Sequence, residues 1–110
     1  MGEVRRFGQI IKVKPEGKAD YLAHHANPMP GVNEMIKECH LKNYSIYTRV
    51  EYLFSYFEYD GDDFEADMDK MAADPATQRW WDVVKPLMQP LEDRAEGDFW
   101  SDMTEIYHLD

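Results

Sequence analysis

The chain has 110 residues, of which 44% are hydrophobic, and its formal net charge at pH 7 is −10. This length and composition suit one modest hydrophobic core, so we predict a single domain over residues 1–110. The acidic balance repels phosphate groups and anionic lipid heads, which argues against nucleic acids and membrane surfaces as partners.

The sequence also bears on the location of the protein. No apolar run reaches the length of a membrane span, and the amino-terminal residues lead into a strand pattern rather than a signal-peptide core. The one cysteine, Cys39, cannot form an internal disulfide, and its place at the end of an apolar helical stripe favours a buried thiol. We therefore expect a cytoplasmic protein.

The first quarter of the chain predicts a strand followed by a helix. Residues 4–13 form the strand, with apolar side chains on both faces, and Pro15 suits the first turn of the helix. Tyr21 and His25, four residues apart, stack in one row at the margin of the core. The buried stripe of this helix is predicted from its helical spacing to contain Ala19, Leu22, Ala23 and Ala26.

The next segments predict a second helix and a hairpin. The proline-rich residues 27–31 end the first helix. Residues 43–50 and 52–60 are rich in β-branched and aromatic side chains, which predicts two strands joined by a tight turn. Tyr44 and Ile46 share one face of the first of these strands. The second helix is predicted from another apolar stripe, which contains Val32, Met35, Ile36 and Cys39.

The last part of the chain predicts a broken helix, a loop and a strand. Residues 60–63 form a turn before a helix, and Asp74 and Pro75 restart that helix as a cap residue and a first-turn proline. Residues 91–99 are acidic and predict a surface loop, whereas residues 100–109 predict the final strand. The apolar stripe before the restart contains Phe64, Met68, Met71 and Ala72.

The order of the predicted elements is strand, helix, strand, strand, helix, strand. This is the split βαβ order of ferredoxin-like α+β folds, in which helices cover one face of a four-stranded antiparallel sheet. Residues such as Tyr44, Ile46 or Phe54 would then lie on the face that carries no helices. A second copy of the chain is the simplest cover for that face, so we predict a homodimer.

Two adjacent tryptophans, Trp80 and Trp81, lie in the last predicted helix. Adjacent helical residues point about 100° apart, so one packed face cannot cover both indoles. Trp80 is in register with Val84 and Met88 on a core stripe, and Trp81 projects beside that stripe. Such a flat ring suits stacking on the C–H face of a sugar, although a core or subunit contact is the alternative.

Five segments, in this order, resemble the L-rhamnose mutarotase family of small dimeric α/β-barrel proteins. The match spans nearly the whole chain. The segments are Tyr21-x-x-x-His25 with a proline soon after, Asn43-Tyr44-Ser45-Ile46-Tyr47, Leu53-Phe54, Gln78-Arg79-Trp80-Trp81 and Glu105-Ile106-Tyr107-His108-Leu109.

The resemblance implies an isomerase that interconverts the α and β anomers of a neutral 6-deoxyhexose, with L-rhamnose as the first choice, without metal or other cofactor. It implies that His25 is the general acid and base. It also implies that four aromatic residues contact the sugar, namely Tyr21, Tyr44, Trp80 and Trp81.

The family pattern is altered in the loop after the catalytic helix. Its His-Asn-Pro run reads here as His25-Ala26-Asn27-Pro28, and Met29 stands where some members carry a tryptophan. These departures leave the choice among L-rhamnose, L-fucose and other sugars open. The sequence also leaves open which tyrosine carries the second proton and whether a partner subunit contributes to the site.

Two other functions fit the same predicted fold. Cofactor-independent monooxygenases and haem-degrading proteins use similar aromatic pockets, and a non-catalytic sugar-binding module would carry the same rings. A metal site built on His24 and His25 lacks the usual ligand spacing. His40 and His108 are predicted to be structural.

Overall fold

The structure is a computed structural model that describes residues 3–110. Met1 and Gly2, which belong to the predicted domain, lie outside the described residues. The helices and strands, in chain order, are β1 (Arg5–Val13), a 3₁₀ turn (Pro15–Gly17), α1 (Lys18–Ala26), α2 (Val32–Glu38), β2 (Leu41–Arg49), β3 (Tyr52–Tyr59), α3 (Phe64–Ala73), α4 (Pro75–Val84), a second 3₁₀ turn (Lys85–Leu87), β4 (Met88–Gln89) and β5 (Ser101–Met103).

The strands form one antiparallel sheet in the order β2-β3-β1-β4, with β5 also paired to β1. β1 pairs with β3 along nearly its whole length, whereas its other edge is shared by two short strands. The fourth position of the predicted four-stranded sheet is therefore divided between β4 and β5. Pro90 follows β4 directly, and a proline cannot donate a ladder hydrogen bond, so β4 stops after two residues.

The hydrophobic core lies between the helices and one face of the sheet. Alternate residues of β3 are buried, and residues of the predicted stripes of α2, α3 and α4 pack against them. Ala72, which was predicted to belong to the α3 stripe, is exposed. Trp80, Val84 and Met88 pack in one cluster with Leu53 and the end of β1. A second cluster joins α2 and α3 to the sheet through Cys39, Leu41, Phe57, Tyr59 and Met71.

Local signals place the start of α4 correctly. The Asp74 carboxylate accepts hydrogen bonds from the Thr77 backbone N–H and hydroxyl, both at 2.9 Å, and Pro75 occupies the first helical turn. This confirms the predicted cap, which satisfies backbone donors that have no partner within the helix.

The predicted buried stripe of α1 is wrong. Its four members face solvent, with Leu22 44% exposed, and the buried residues of this region are Gly17 and Tyr21. Tyr21 joins the core cluster beneath α4. Tyr21 is the largest apolar side chain among these residues, and its burial turns the face that carries Leu22 and the alanines toward solvent.

The predicted position of Tyr44 and Ile46 on the open face of the sheet is also wrong, whereas Phe54 does lie there. β2 contains a bulge, because Lys42 pairs with Glu58 while Ser45 pairs with Tyr56. One extra residue in β2 brings Tyr44 and Ile46 to the face that the helices cover. The Tyr44 ring lies 5.2 Å from that of Phe57, which is buried in the core.

The predicted final strand over residues 100–109 is too long. Only Ser101–Met103 pairs with β1, and residues 104–110 form no strand within the described part of the chain. Ile106 is 94% exposed, and the segment contacts β1 through an ion pair between Glu105 and Arg6 at 2.7 Å. No helix within residues 3–110 is long and apolar enough to cross a bilayer.

Candidate active site

The five residues predicted to form the site line one small cavity between the helices and the sheet, with a volume of about 80 Å³. It adjoins a wider pocket of about 570 Å³ between α1, α2 and β2, because His25, Tyr44 and Trp80 line both. The combined space falls within the size of small-molecule sites. The residues that the structure brings together in the small cavity are Tyr21, His25, Tyr44, Trp80 and Trp81.

His25 lies in the last turn of α1 with its ring held on two sides. Its ring stacks on Tyr21 at a centroid distance of 4.1 Å and meets the Trp80 ring near edge-on at 5.0 Å. Its Nδ1 lies 2.8 Å from the Tyr21 backbone carbonyl oxygen. A carbonyl can only accept, so Nδ1 carries the proton and Nε2 keeps a free lone pair in the neutral ring.

Burial lowers the pKa of His25 below its ordinary value, and the hydrogen bond to the Tyr21 carbonyl offsets only part of this effect. The neutral imidazole is therefore the major form at neutral pH. The ring centroids of His24 and Trp80 are 6.3 Å apart, and His24 does not line the cavity. The geometry therefore favours His25 over His24 as the proton carrier.

The two tyrosines present phenol groups to the same cavity. Burial raises the pKa of Tyr21, with a smaller contribution from nearby Tyr44. Tyr44 is 39% exposed as a residue, but desolvation of its phenol raises its pKa as well. Both phenols therefore stay protonated at neutral pH. Within residues 3–110 neither hydroxyl has a hydrogen-bond partner, which leaves both free to bind a ligand oxygen.

The two indoles differ in burial, as their positions on α4 predict. Trp80 is 8% exposed and belongs to the core cluster, where its ring supports that of His25. Trp81 is half-buried and packs against the margin of the same cluster. One indole thus positions the imidazole while the other offers a ring at the cavity wall.

The cavity is also lined by three residues that were not predicted from the sequence to belong to the site, namely Lys85, Phe99 and Trp100. Phe99 ends the segment that was predicted to be only a surface loop, Trp100 begins the predicted final strand, and both are half-buried against the core. An aromatic pair closing an otherwise acidic segment was the available signal. Lys85 follows Trp81 by four residues, the spacing of helical neighbours.

The remaining histidines lie outside this cavity. His40 is 3.1 Å from the Asp67 carboxylate, which also accepts a 2.6 Å hydrogen bond from the Tyr59 hydroxyl. His108 is 2.6 Å from Asp110. Residues 3–110 contain no group of three or more His, Cys, Asp or Glu side chains arranged to hold a metal ion.

Comparison with known proteins supplies the family. The sequence model of L-rhamnose mutarotase matches residues 6–109. The chain belongs to the L-rhamnose mutarotase family. An L-rhamnose mutarotase of Oceanobacillus iheyensis is 30% identical to this family member over 109 residues, which are 97% of this chain and 100% of the relative. The L-rhamnose mutarotase of Lactiplantibacillus plantarum is 28% identical over 107 residues, which are 96% of this chain and 98% of the relative.

Solved structures agree on the fold of this family member. The crystal structure of an L-rhamnose mutarotase from Formosa agariphila matches with a TM-score of 0.73 at 18% identity, over 96% of this chain and 99% of that one. Tetracenomycin F2 cyclase from Streptomyces glaucescens matches with a TM-score of 0.61 at 15% identity, over 96% of this chain and 99% of the cyclase. These similarities confirm the predicted α+β fold class.

Proposed function

We propose that the chain is a sugar mutarotase that interconverts the α and β anomers of L-rhamnose. Family membership across residues 6–109 supports the reaction and the substrate. The observation that carries the proposal is the cavity that His25 lines together with two tyrosines and two tryptophans, while the hydrogen bond of its Nδ1 to the Tyr21 carbonyl leaves Nε2 without a proton.

The reaction requires proton exchange at two sugar oxygens. In the proposed mechanism the neutral His25 removes the proton of the anomeric hydroxyl while a phenol donates a hydrogen bond and then a proton to the ring oxygen. The bond between C1 and the ring oxygen breaks, the aldehyde forms, and rotation about C1–C2 exposes its other face. Closure reverses both proton transfers, so the residues return to their starting state.

The stacked geometry of Tyr21 and His25 makes this exchange easier. A buried phenol with a raised pKa is reluctant to form a phenolate. The imidazolium that forms on His25 lies in direct ring contact with Tyr21 and stabilises a negative charge there. Tyr44 offers a second phenol to the same cavity and is the alternative proton donor.

The aromatic walls bind the sugar and exclude water. Trp81 offers its ring to the C–H face of the pyranose, and the apolar lining accommodates the C6 methyl group. This proposal assigns Tyr21, Tyr44, Trp80 and Trp81 to the sugar and His25 to the protons.

Anomer exchange measured by NMR tests the proposed function. Selective saturation of one anomeric proton of L-rhamnose, with L-fucose in parallel, should show exchange well above the uncatalysed rate when the protein is added. Binding of L-rhamnose without faster exchange would indicate a sugar-binding module instead. Oxygen uptake with a quinol, or a haem absorption band, would indicate the oxygenase class and contradict the proposal.

We also propose that two copies pair through the open face of the sheet. That face carries Phe54 between Ile10 and Tyr47, and Tyr47 is 66% exposed in the protomer. An apolar sheet face of this kind suits burial against a second copy. Sedimentation velocity should give a mass near twice that of the chain.

Two further expectations belong to the proposal. The chain acts as one domain over residues 1–110, so limited proteolysis should leave one protected fragment. The reaction takes place in the cytoplasm, and fractionation of the native host should find the protein there.

A further inference from the structure

The Lys85 ammonium group lies between two aromatic rings at the cavity wall. Lys85 begins the 3₁₀ turn after α4, and its backbone N–H donates to the carbonyl of Trp81, one turn earlier. Its Nζ lies 4.2 Å from the Trp81 ring centroid and 5.3 Å from that of Phe99. Two cation–π contacts therefore hold the ammonium group in place.

This ammonium has no carboxylate partner in the described part of the chain, although 22 acidic residues outnumber 12 basic ones. Lys42 and Lys70 pair with Asp60 and Glu38 at 2.8 and 2.9 Å, whereas the other lysines within residues 3–110, Lys85 among them, form no ion pair. The aromatic rings attract the charge of Lys85 but do not replace oxygen acceptors for its three N–H donors. Lys85 is exposed, so water solvates these donors in the free protein and a ligand oxygen can replace that water.

His25 and Lys85 line the same cavity, one at the end of α1 and the other just after α4, with Trp81 also in its wall. In the proposed binding mode, C1 of the pyranose lies at His25 and the opposite side of the ring lies toward Lys85. In a 6-deoxyhexose the hydroxyl at C2 adjoins C1, and C6 is a methyl group. The hydroxyls remote from the reaction are therefore those at C3 and C4.

We propose that Lys85 is a substrate-binding residue that determines sugar specificity by donating a hydrogen bond to the C3 or C4 hydroxyl oxygen. The assignment rests on the proposed function for the orientation of the sugar. Because the contact is remote from C1, it contributes equally to the bound sugar and to the transition state. Lys85 therefore affects affinity and leaves the chemical step unchanged.

The test replaces Lys85 by methionine, which keeps an unbranched side chain and removes the charge and donors. Dissociation constants for L-rhamnose and its 3-deoxy and 4-deoxy analogues are measured by tryptophan fluorescence, and anomer exchange gives kcat and KM. Lys85→Met should raise the Kd and KM for L-rhamnose about tenfold, the effect of losing a hydrogen bond from a charged donor, with kcat within about twofold. For one deoxy analogue, wild type and variant should bind equally.

Lys70→Met is the matched control, because it makes the same charge change at an ion pair outside the cavity, and it should leave all constants unchanged. Equal Kd values for wild type and Lys85→Met would overturn the inference. An equal loss of affinity for L-rhamnose and both deoxy analogues would also overturn it, since it would indicate a packing role.

The same measurements separate the inference from the proposed function. One outcome is that the wild-type protein binds L-rhamnose without speeding anomer exchange while Lys85→Met selectively loses affinity for that sugar. That pair of results would support the Lys85 contact and refute only the mutarotase activity. A wild-type protein that binds none of the three sugars would refute both.

Discussion

Replacement of His25 by glutamine is the most direct test of the proposed chemistry. Glutamine can still donate to the Tyr21 carbonyl that holds Nδ1 at 2.8 Å, but it cannot take up or release a proton near neutral pH. Loss of one positioned proton carrier costs roughly a hundredfold to ten-thousandfold in rate. We expect the upper part of that range, because the phenols beside His25 have raised pKa values and cannot replace it as a base.

The measurement is the exchange rate between the two anomers of L-rhamnose, followed by NMR at several sugar concentrations. His24→Gln is the matched control, because His24 is adjacent but does not line the cavity, and it should keep the wild-type rate within about twofold. A His25→Gln protein that folds and retains the wild-type rate would refute the mechanism. An equal loss in His24→Gln would refute the choice between the two histidines.

The pH dependence follows from the same environment. Burial lowers the pKa of His25 below 6.5, and the neutral ring is the active base, so the acid limb of kcat/KM should have its midpoint below 6.5. In the pH range between the lowered folded value and the unfolded value, the unfolded chain binds more protons. The unfolding free energy should therefore rise with pH through that range, and His25→Gln should remove this contribution. An acid limb centred at or above 6.5 would contradict the assignment.

Four further variants test the site, the helix cap and the assembly. Tyr21→Phe keeps the ring stack on His25 and should lower kcat at least tenfold with little change in melting temperature; a larger loss in Tyr44→Phe would assign the second proton to that residue instead. Asp74→Ala removes both bonds to Thr77 and should cost about 1 kcal/mol, seen as a fall of about 4 °C in the midpoint of thermal unfolding; an unchanged midpoint would contradict the cap. Phe54→Glu should give a monomer in sedimentation velocity, and a persistent dimer would place the interface elsewhere.

Local rules were sufficient where the cause of a structure lies within one turn of the chain. The spacing of Trp80 and Val84 predicted the buried face of α4, and Asp74 followed by Pro75 predicted its first turn. Met88, which the same spacing placed on this stripe, is buried but lies in β4. These features depend on residues three or four apart, so a single sequence contains the information they need.

Local rules failed where distant segments compete for the same space. The α1 stripe of alanines and Leu22 had the right period, but Tyr21 and His25 took the buried side because the cavity beneath α4 accommodates rings. Likewise Phe99 belongs to a segment whose acidic composition predicts solvent exposure, yet it packs on the core beside Trp100. Neither outcome can be derived without knowing which segments meet.

The bulge in β2 connects the backbone to the proposed chemistry. Side chains alternate along a strand, so a regular pairing from Lys42 onward would leave Tyr44 on the open face, away from His25. The extra residue is accommodated at Asn43, whose φ of +50° lies in the left-handed region that asparagine tolerates better than most residues. Asn43 also donates a 2.9 Å hydrogen bond to Glu58 on the neighbouring strand. Asn43 thus determines which face Tyr44 occupies, and with it whether the second phenol reaches the sugar.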